Sequence, residues 1–106
     1  MFAVLDIFGF EIFEWNSFEQ DEPSVNALGY RLLSANKLEE AIQVFESNTR
    51  HHDSGNSWDS LGEAQLAAGK ADQALESYHR SLLLTPNNDN ARRAIAKLEA
   101  ATAGAD

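Results

Sequence analysis

Cysteine is absent from the 106 residues, which excludes disulfides, thiolate metal sites and a cysteine nucleophile. Basic residues are scarce, eight against 17 acids, for a formal net charge of −9. A chain this acidic repels phosphate backbones and anionic lipid headgroups. Neither nucleic acid nor membrane is therefore the expected partner, and a basic or neutral, partly apolar protein or peptide is the better electrostatic match. Nowhere do about 18 apolar residues run uninterrupted, as a membrane helix would need. The opening Met1-Phe2-Ala3-Val4-Leu5-Asp6 lacks the basic stretch of a signal peptide, so the expectation is a soluble chain with no export signal in this segment. Its compartment stays unassigned. Also missing are the G-x-x-x-x-G-K-[ST] loop that cradles an NTP and the G-x-S-x-G elbow of serine hydrolases. His51-His52-Asp53 has two adjacent histidines on a loop, which point apart, and no further ligands at workable spacing. These absences lead to the expectation of a non-enzyme, with no catalytic residue, metal or cofactor.

What is present falls into two unlike parts. The first twenty residues, MFAVLDIFGFEIFEWNSFEQ, hold five of the six phenylalanines and one of the two tryptophans. After the polar junction Asp21-Glu22-Pro23 the chain turns rich in alanine and leucine. Pro23 suits the first turn of a helix starting there. The expected organisation is an apolar extension over 1–21, a helical domain over 22–101 and a flexible tail over 102–106.

The helical part repeats itself. Leu28-Gly29 returns as Leu61-Gly62, Glu40-Ala41-Ile42 as Gln73-Ala74-Leu75, and Phe45 as Tyr78, each pair separated by 33 positions. Within each unit the apolar residues keep a helical period. Leu28 and Leu32 precede a break at Ala35-Asn36-Lys37, and Leu38, Ala41, Ile42 and Phe45 follow it. Trp58, Leu61, Gln65 and Ala68 precede a break at Gly69-Lys70, and Ala71, Ala74, Leu75, Tyr78 and Leu82 follow it. Gly69 suits a helix end that needs positive φ. Breaks this short make paired helices antiparallel neighbours. Thr85-Pro86-Asn87-Asn88-Asp89 stops the second unit, and a last helix from about Asn90 to Ala101 carries Ala94, Ile95 and Leu98 on one side. Gly29 and Gly62 fall inside helices at a cost of about 1 kcal/mol each. Their recurrence implies a packing reason, and the expectation is close approach of small Ala41 and Ala74.

The pattern Trp58-x-x-Leu61-Gly62, with Gly69, Ala74, Tyr78 and Pro86, resembles the tetratricopeptide repeat. The first unit departs from it, with Val25 in place of the tryptophan, Asn36 for the loop glycine and Asp53 for the proline. The resemblance implies an all-α fold: a TPR-like helical-hairpin solenoid of two repeats plus a C-terminal capping helix, preceded by the apolar extension. In that family the first helix of each pair lines a concave groove. Carried over by position, the partner-binding groove would present Asn26, Tyr30 and Leu33 from the first unit and Asn56, Asp59, Glu63 and Leu66 from the second. The implied function is protein–protein interaction. Asn26 and Tyr30 stand where a receptor for chaperone carboxylate tails would want lysine and asparagine, and Asp59 and Glu63 add the wrong charge, so that role is not expected. The stretches NALGYRLLSANKLEEAIQVFESN and SWDSLGEAQLAAGKADQALESYHRSLLLTPNNDNA are also similar to the helical tail of some bacterial serine hydrolases. That likeness implies the alternative of a non-catalytic accessory tail of a larger protein.

In the first part, Val4-Leu5-Asp6-Ile7-Phe8-Gly9-Phe10-Glu11 and Asn16-Ser17-Phe18-Glu19-Gln20 resemble the switch II segment and the start of the relay helix of myosin motors. The resemblance would give Asp6, Gly9 and Glu11 roles around a nucleotide's magnesium and γ-phosphate. A phosphate loop and a first switch are both missing, and phosphoryl transfer depends on several positioned elements at once. No ATPase is expected. The large apolar side chains from Phe2 to Phe18 would each contribute about 1.5–3 kcal/mol if buried. Three readings stay open: a cap on the first repeat, a contact that drives homodimerisation, or a fusion in a chimeric or engineered chain with no native function.

Overall fold

A computed structural model describes residues 22–104, and all five of their elements are α-helices. They are α1 (Glu22–Ser34), α2 (Leu38–His51), α3 (Gly55–Ala67), α4 (Ala71–Leu84) and α5 (Asp89–Gly104). Each helix packs mainly on its neighbours in sequence, giving a body of 49 × 26 × 18 Å. The expected extension over 1–21, with its cap, dimer and fusion readings and its motor-like residues, lies outside the described residues. So does the end of the expected tail, while α5 runs through Ala101 to Gly104. No helix among the described residues is long and apolar enough to cross a membrane.

The 33-residue recurrence is written into the backbone. Asn36 and Gly69 both take positive φ, 63° and 80°. Lys37 (φ −96°, ψ 74°) matches Lys70 (φ −98°, ψ 69°) at the start of the next helix, and His52 (φ −136°, ψ 87°) matches Thr85 (φ −136°, ψ 83°) at its end. The links close alike as well. The Lys37 N–H donates to the Leu32 carbonyl and the Lys70 N–H to the Gln65 carbonyl, each at 2.9 Å. A positive φ is inexpensive for glycine and tolerable for asparagine, which explains how Asn36 stands in for a glycine. After α2 the link is 52–54, and after α4 it is 85–88. The one-residue surplus of the second unit therefore sits between helices and leaves their packing unaltered.

Two clusters make the core. Ala41, Ile42, Phe45, Leu61 and Ala64 join α2 to α3, with Tyr30, Leu32, Leu33 and Trp58 packed around them. Ala74, Tyr78, Ala91 and Ile95 join α4 to α5, with Leu75, Leu82, Ala94 and Leu98 alongside. The helical glycines serve packing, but the neighbour differs from the expected Ala41 and Ala74. A Cβ on Gly29 would lie 2.5 Å from Phe45 Cζ, and one on Gly62 would lie 3.0 Å from Tyr78 Cζ. An aromatic ring, rather than a small residue, fills the space where each side chain is missing.

Polar groups finish the helix ends. Ser54 caps α3 through a reciprocal pair with Ser57, each side chain bonded to the other's backbone N–H. Before α5, Asn88 accepts the Ala91 N–H through Oδ1 at 3.2 Å and donates Nδ2 to Ser81 Oγ at 2.9 Å. Such caps are worth about 1 kcal/mol each.

Candidate functional site

The odd-numbered helices lie side by side, tied by polar contacts that run in parallel order. Between α1 and α3, Ser54 Oγ donates to Glu22 Oε2 at 2.6 Å and Asn56 Nδ2 donates to the same oxygen at 3.1 Å. Further along, the Tyr30 hydroxyl lies 2.5 Å from Glu63 Oε1, to which it donates, and 3.1 Å from Ser60 Oγ. Between α3 and α5, Asn90 Nδ2 donates to both oxygens of Asp59, at 2.9 and 3.1 Å. These contacts exist because side chains at helical spacing on α1, α3 and α5 project to one common side.

Of the seven residues named from the sequence, five take part in or border this row. Tyr30, Asn56, Asp59 and Glu63 make the bonds just given. Leu66, 39% exposed, closes the C-terminal end of α3. Leu33 is half-buried and packs on the core cluster around Phe45, so part of its apolar surface is already used inside the fold. Asn26 is half-buried, and its Oδ1 is shielded from solvent without a hydrogen-bond partner among the described residues. That oxygen is not presented to an incoming ligand.

Burial comes first among the causes that hold Tyr30 protonated well above the usual phenol range, followed by its bond to Glu63. Tyr78 is pushed up to about 12, chiefly by burial and then by the negative charges of Asp59 and Glu63. Both phenols are neutral at physiological pH, so the negative charge of the row belongs to its carboxylates.

The groove expected from the sequence left out Ser60, Glu22 and every residue of α5, a helix that the sequence itself had placed. Its signal was present: Asn90, Arg93 and Lys97 stand 34 positions beyond Asn56, Asp59 and Glu63. Carrying the comparison one unit further exposes a charge inversion, with two cations where α3 has two acids. A depression of about 480 Å³ opens there, lined by Leu66, Asn90, Arg93, Ala94, Lys97 and Leu98. The face is thus acidic toward α1 and basic toward α5.

A second, wider hollow of about 940 Å³ lies along α2 and α4 and reaches Trp58. There the Arg80 guanidinium sits 5.4 Å from the Trp58 ring centroid, and Trp58 Nε1 donates to Asp53 Oδ1 at 2.6 Å. Among the described residues, no three His, Cys, Asp or Glu side chains gather where they could hold a metal ion. His51 turns its Nδ1 to the Ser47 carbonyl at 2.9 Å. No family model matches the chain, and no curated protein matches it.

Proposed function

We propose that the helices are tetratricopeptide-type repeats, two pairs closed by a final helix, and that they bind a protein or peptide along the face shared by α1, α3 and α5. The recurrence of link geometry every 33 residues supports the repeat reading, because stacked identical units need identical corners. The observation that carries the binding reading is the row of Tyr30, Asp59 and Glu63. It places aromatic edge and carboxylate together on a partly exposed surface, and this suits a basic or neutral ligand with some apolar character. The module catalyses nothing in this reading. Its value lies in a rigid, preorganised face, which spares part of the ordering cost of binding.

The test is calorimetric titration with a panel of short peptides that carry lysine beside leucine or tyrosine. Asp59→Asn combined with Glu63→Gln keeps the size of both side chains, leaves each one oxygen to accept from Asn90 or Tyr30, and removes their charge. Capture of the best basic peptide should weaken about tenfold, the scale of one or two charge-assisted contacts, with unchanged helical circular dichroism. Equal affinity in parent and variant would refute the acidic row as the recognition element.

A further inference from the structure

The α3–α5 depression and the first 21 residues have complementary chemistry. Leu66, Ala94 and Leu98 give the depression an apolar floor, and Arg93 and Lys97 stand exposed above it. Neither cation has an ion-pair partner among the described residues; Lys70, Arg92 and His79 are the ones so engaged. Residues 1–21 contain five acids (Asp6, Glu11, Glu14, Glu19 and Asp21) and no base, interleaved with Phe2, Ile7, Phe8, Phe10, Ile12, Phe13 and Trp15. All eight basic residues of the chain lie beyond them.

We propose that residues 1–21 are a ligand of their own chain: the Phe10–Trp15 stretch seats its apolar side chains on Leu66, Ala94 and Leu98, and Glu11 and Glu14 meet Arg93 and Lys97. This deepens the binding reading and rests on it for the role of the face, since the segment then covers one end of the surface a partner would use. Charge selects this end. Glu22 and Glu63 repel an acidic segment from the α1–α3 end, whereas at the α3–α5 end Asp59 is bonded to Asn90 and the two cations outnumber it. The hollow along α2 and α4 interleaves Arg50 and Arg80 with Glu46, Asp72 and Glu76, so it offers no net attraction.

Reach permits the contact. The segment joins α1 at Glu22, which is already bonded to the start of α3. The depression lies about two helix spacings across, roughly 20 Å, and from Asn56 to Leu66 about 15 Å along the helix axis, so the path is about 25 Å. Phe13 lies nine positions before Glu22, a span of up to about 30 Å. Arg93 and Lys97 are four residues apart on one helix, about 6 Å along its axis. Two carboxylates three residues apart can meet both cations.

The test uses the full chain. An equal mixture of light and heavy-nitrogen protein is treated with a zero-length carbodiimide, and the covalent monomer and dimer fractions are both mapped by mass spectrometry. An amide between Lys97 and Glu11 or Glu14 within one isotopic chain is expected. Arg93→Glu with Leu66→Asp changes two exposed residues, retains Lys97 and should abolish that cross-link while circular dichroism stays the same. In a Trp58→Phe background, Trp15 emission should move to longer wavelength in the same variant. Cross-links that join heavy to light chains would instead assign the contact to a second copy and overturn the proposal. So would coupling of Lys97 only to acids beyond residue 21, or Trp15 emission that ignores the variant. The binding reading is judged separately. If the intrachain amide forms and no basic peptide binds, self-docking stands alone; if peptide binds and no such amide forms, the face binds partners uncovered.

Discussion

Gly29 has no room for a methyl group. Phe45, fully buried, occupies the space, and its ring also meets Tyr30 edge-on at 5.1 Å between centroids. Gly29→Ala should destabilise the fold by about 2 kcal/mol, as overpacked cores do, despite a helix-propensity gain of about 1 kcal/mol. Gly62→Ala crowds Tyr78 less, so its penalty and its gain should nearly cancel; urea unfolding of both variants checks the order. The sequence pointed to a packing role for both glycines and missed the neighbour. Phe45 and Tyr78 recur at the same offset as Ala41 and Ala74, and spacing alone cannot say which of them crosses to the glycine. A second contrast concerns Asn48, only 1% exposed, whose two amide atoms have no hydrogen-bond partner among the described residues. Its counterpart 33 positions on is Ser81, which donates to the Gly55 carbonyl at 2.7 Å. A buried polar group left unpaired costs about 1–3 kcal/mol. Asn48→Ser, which recreates the counterpart's hydroxyl, is expected to raise stability by about 1 kcal/mol in the same unfolding assay.

At the scale of elements, the short links carry the information that places the helices. Asn36 holds a positive φ that glycine adopts freely. Asn36→Gly should therefore stabilise modestly, and Gly69→Val should cost more than about 1 kcal/mol, since a β-branched residue tolerates that region poorly. Thermal melting of the two variants should move in opposite directions. Helix positions were legible because Asn36-Lys37 and Gly69-Lys70 interrupt clear periodic runs, and α1 and α3 end, and α2 and α4 begin, close to those breaks. The last helix was harder to bound. Its expected start at Asn90 and end at Ala101 fall inside α5, which extends to Gly104 because Thr102 and Ala103 carry no stop signal before the glycine. The candidate face was partly legible: the repeat resemblance implied Tyr30, Asp59 and Glu63 for it, whereas the bonds from Asn90 to Asp59 and from Ser54 to Glu22 cross between helices. Such cross-helix partners depend on how the units stack, which periodicity within one helix does not encode.

At the scale of the molecule, buried Tyr78 and half-buried Tyr30 tie the stability of the whole fold to pH. In the unfolded chain a tyrosine loses its proton near pH 10; in the fold Tyr78 holds it to about 12, and Tyr30 is displaced in the same direction. The folded state then binds more protons than the unfolded one above about pH 10. The tyrosine contribution is complete below that point and is lost as pH climbs toward 12. The urea midpoint should fall across this window, and Tyr78→Phe should flatten the fall. The matched corner dihedrals at Lys37 and Lys70, and at His52 and Thr85, have a further consequence. A chain whose corners are interchangeable can be lengthened like a spiral stair, one tread at a time. Inserting a second copy of residues 55–88 after Asn88 sets the copied α3 on α4, whose Ala74 and Tyr78 correspond to Ala41 and Phe45 of α2, and returns α5 to the α4 surface it already meets. The longer molecule should grow along a single direction and melt at a higher temperature, since an added tread brings its own interior and one more buried joint.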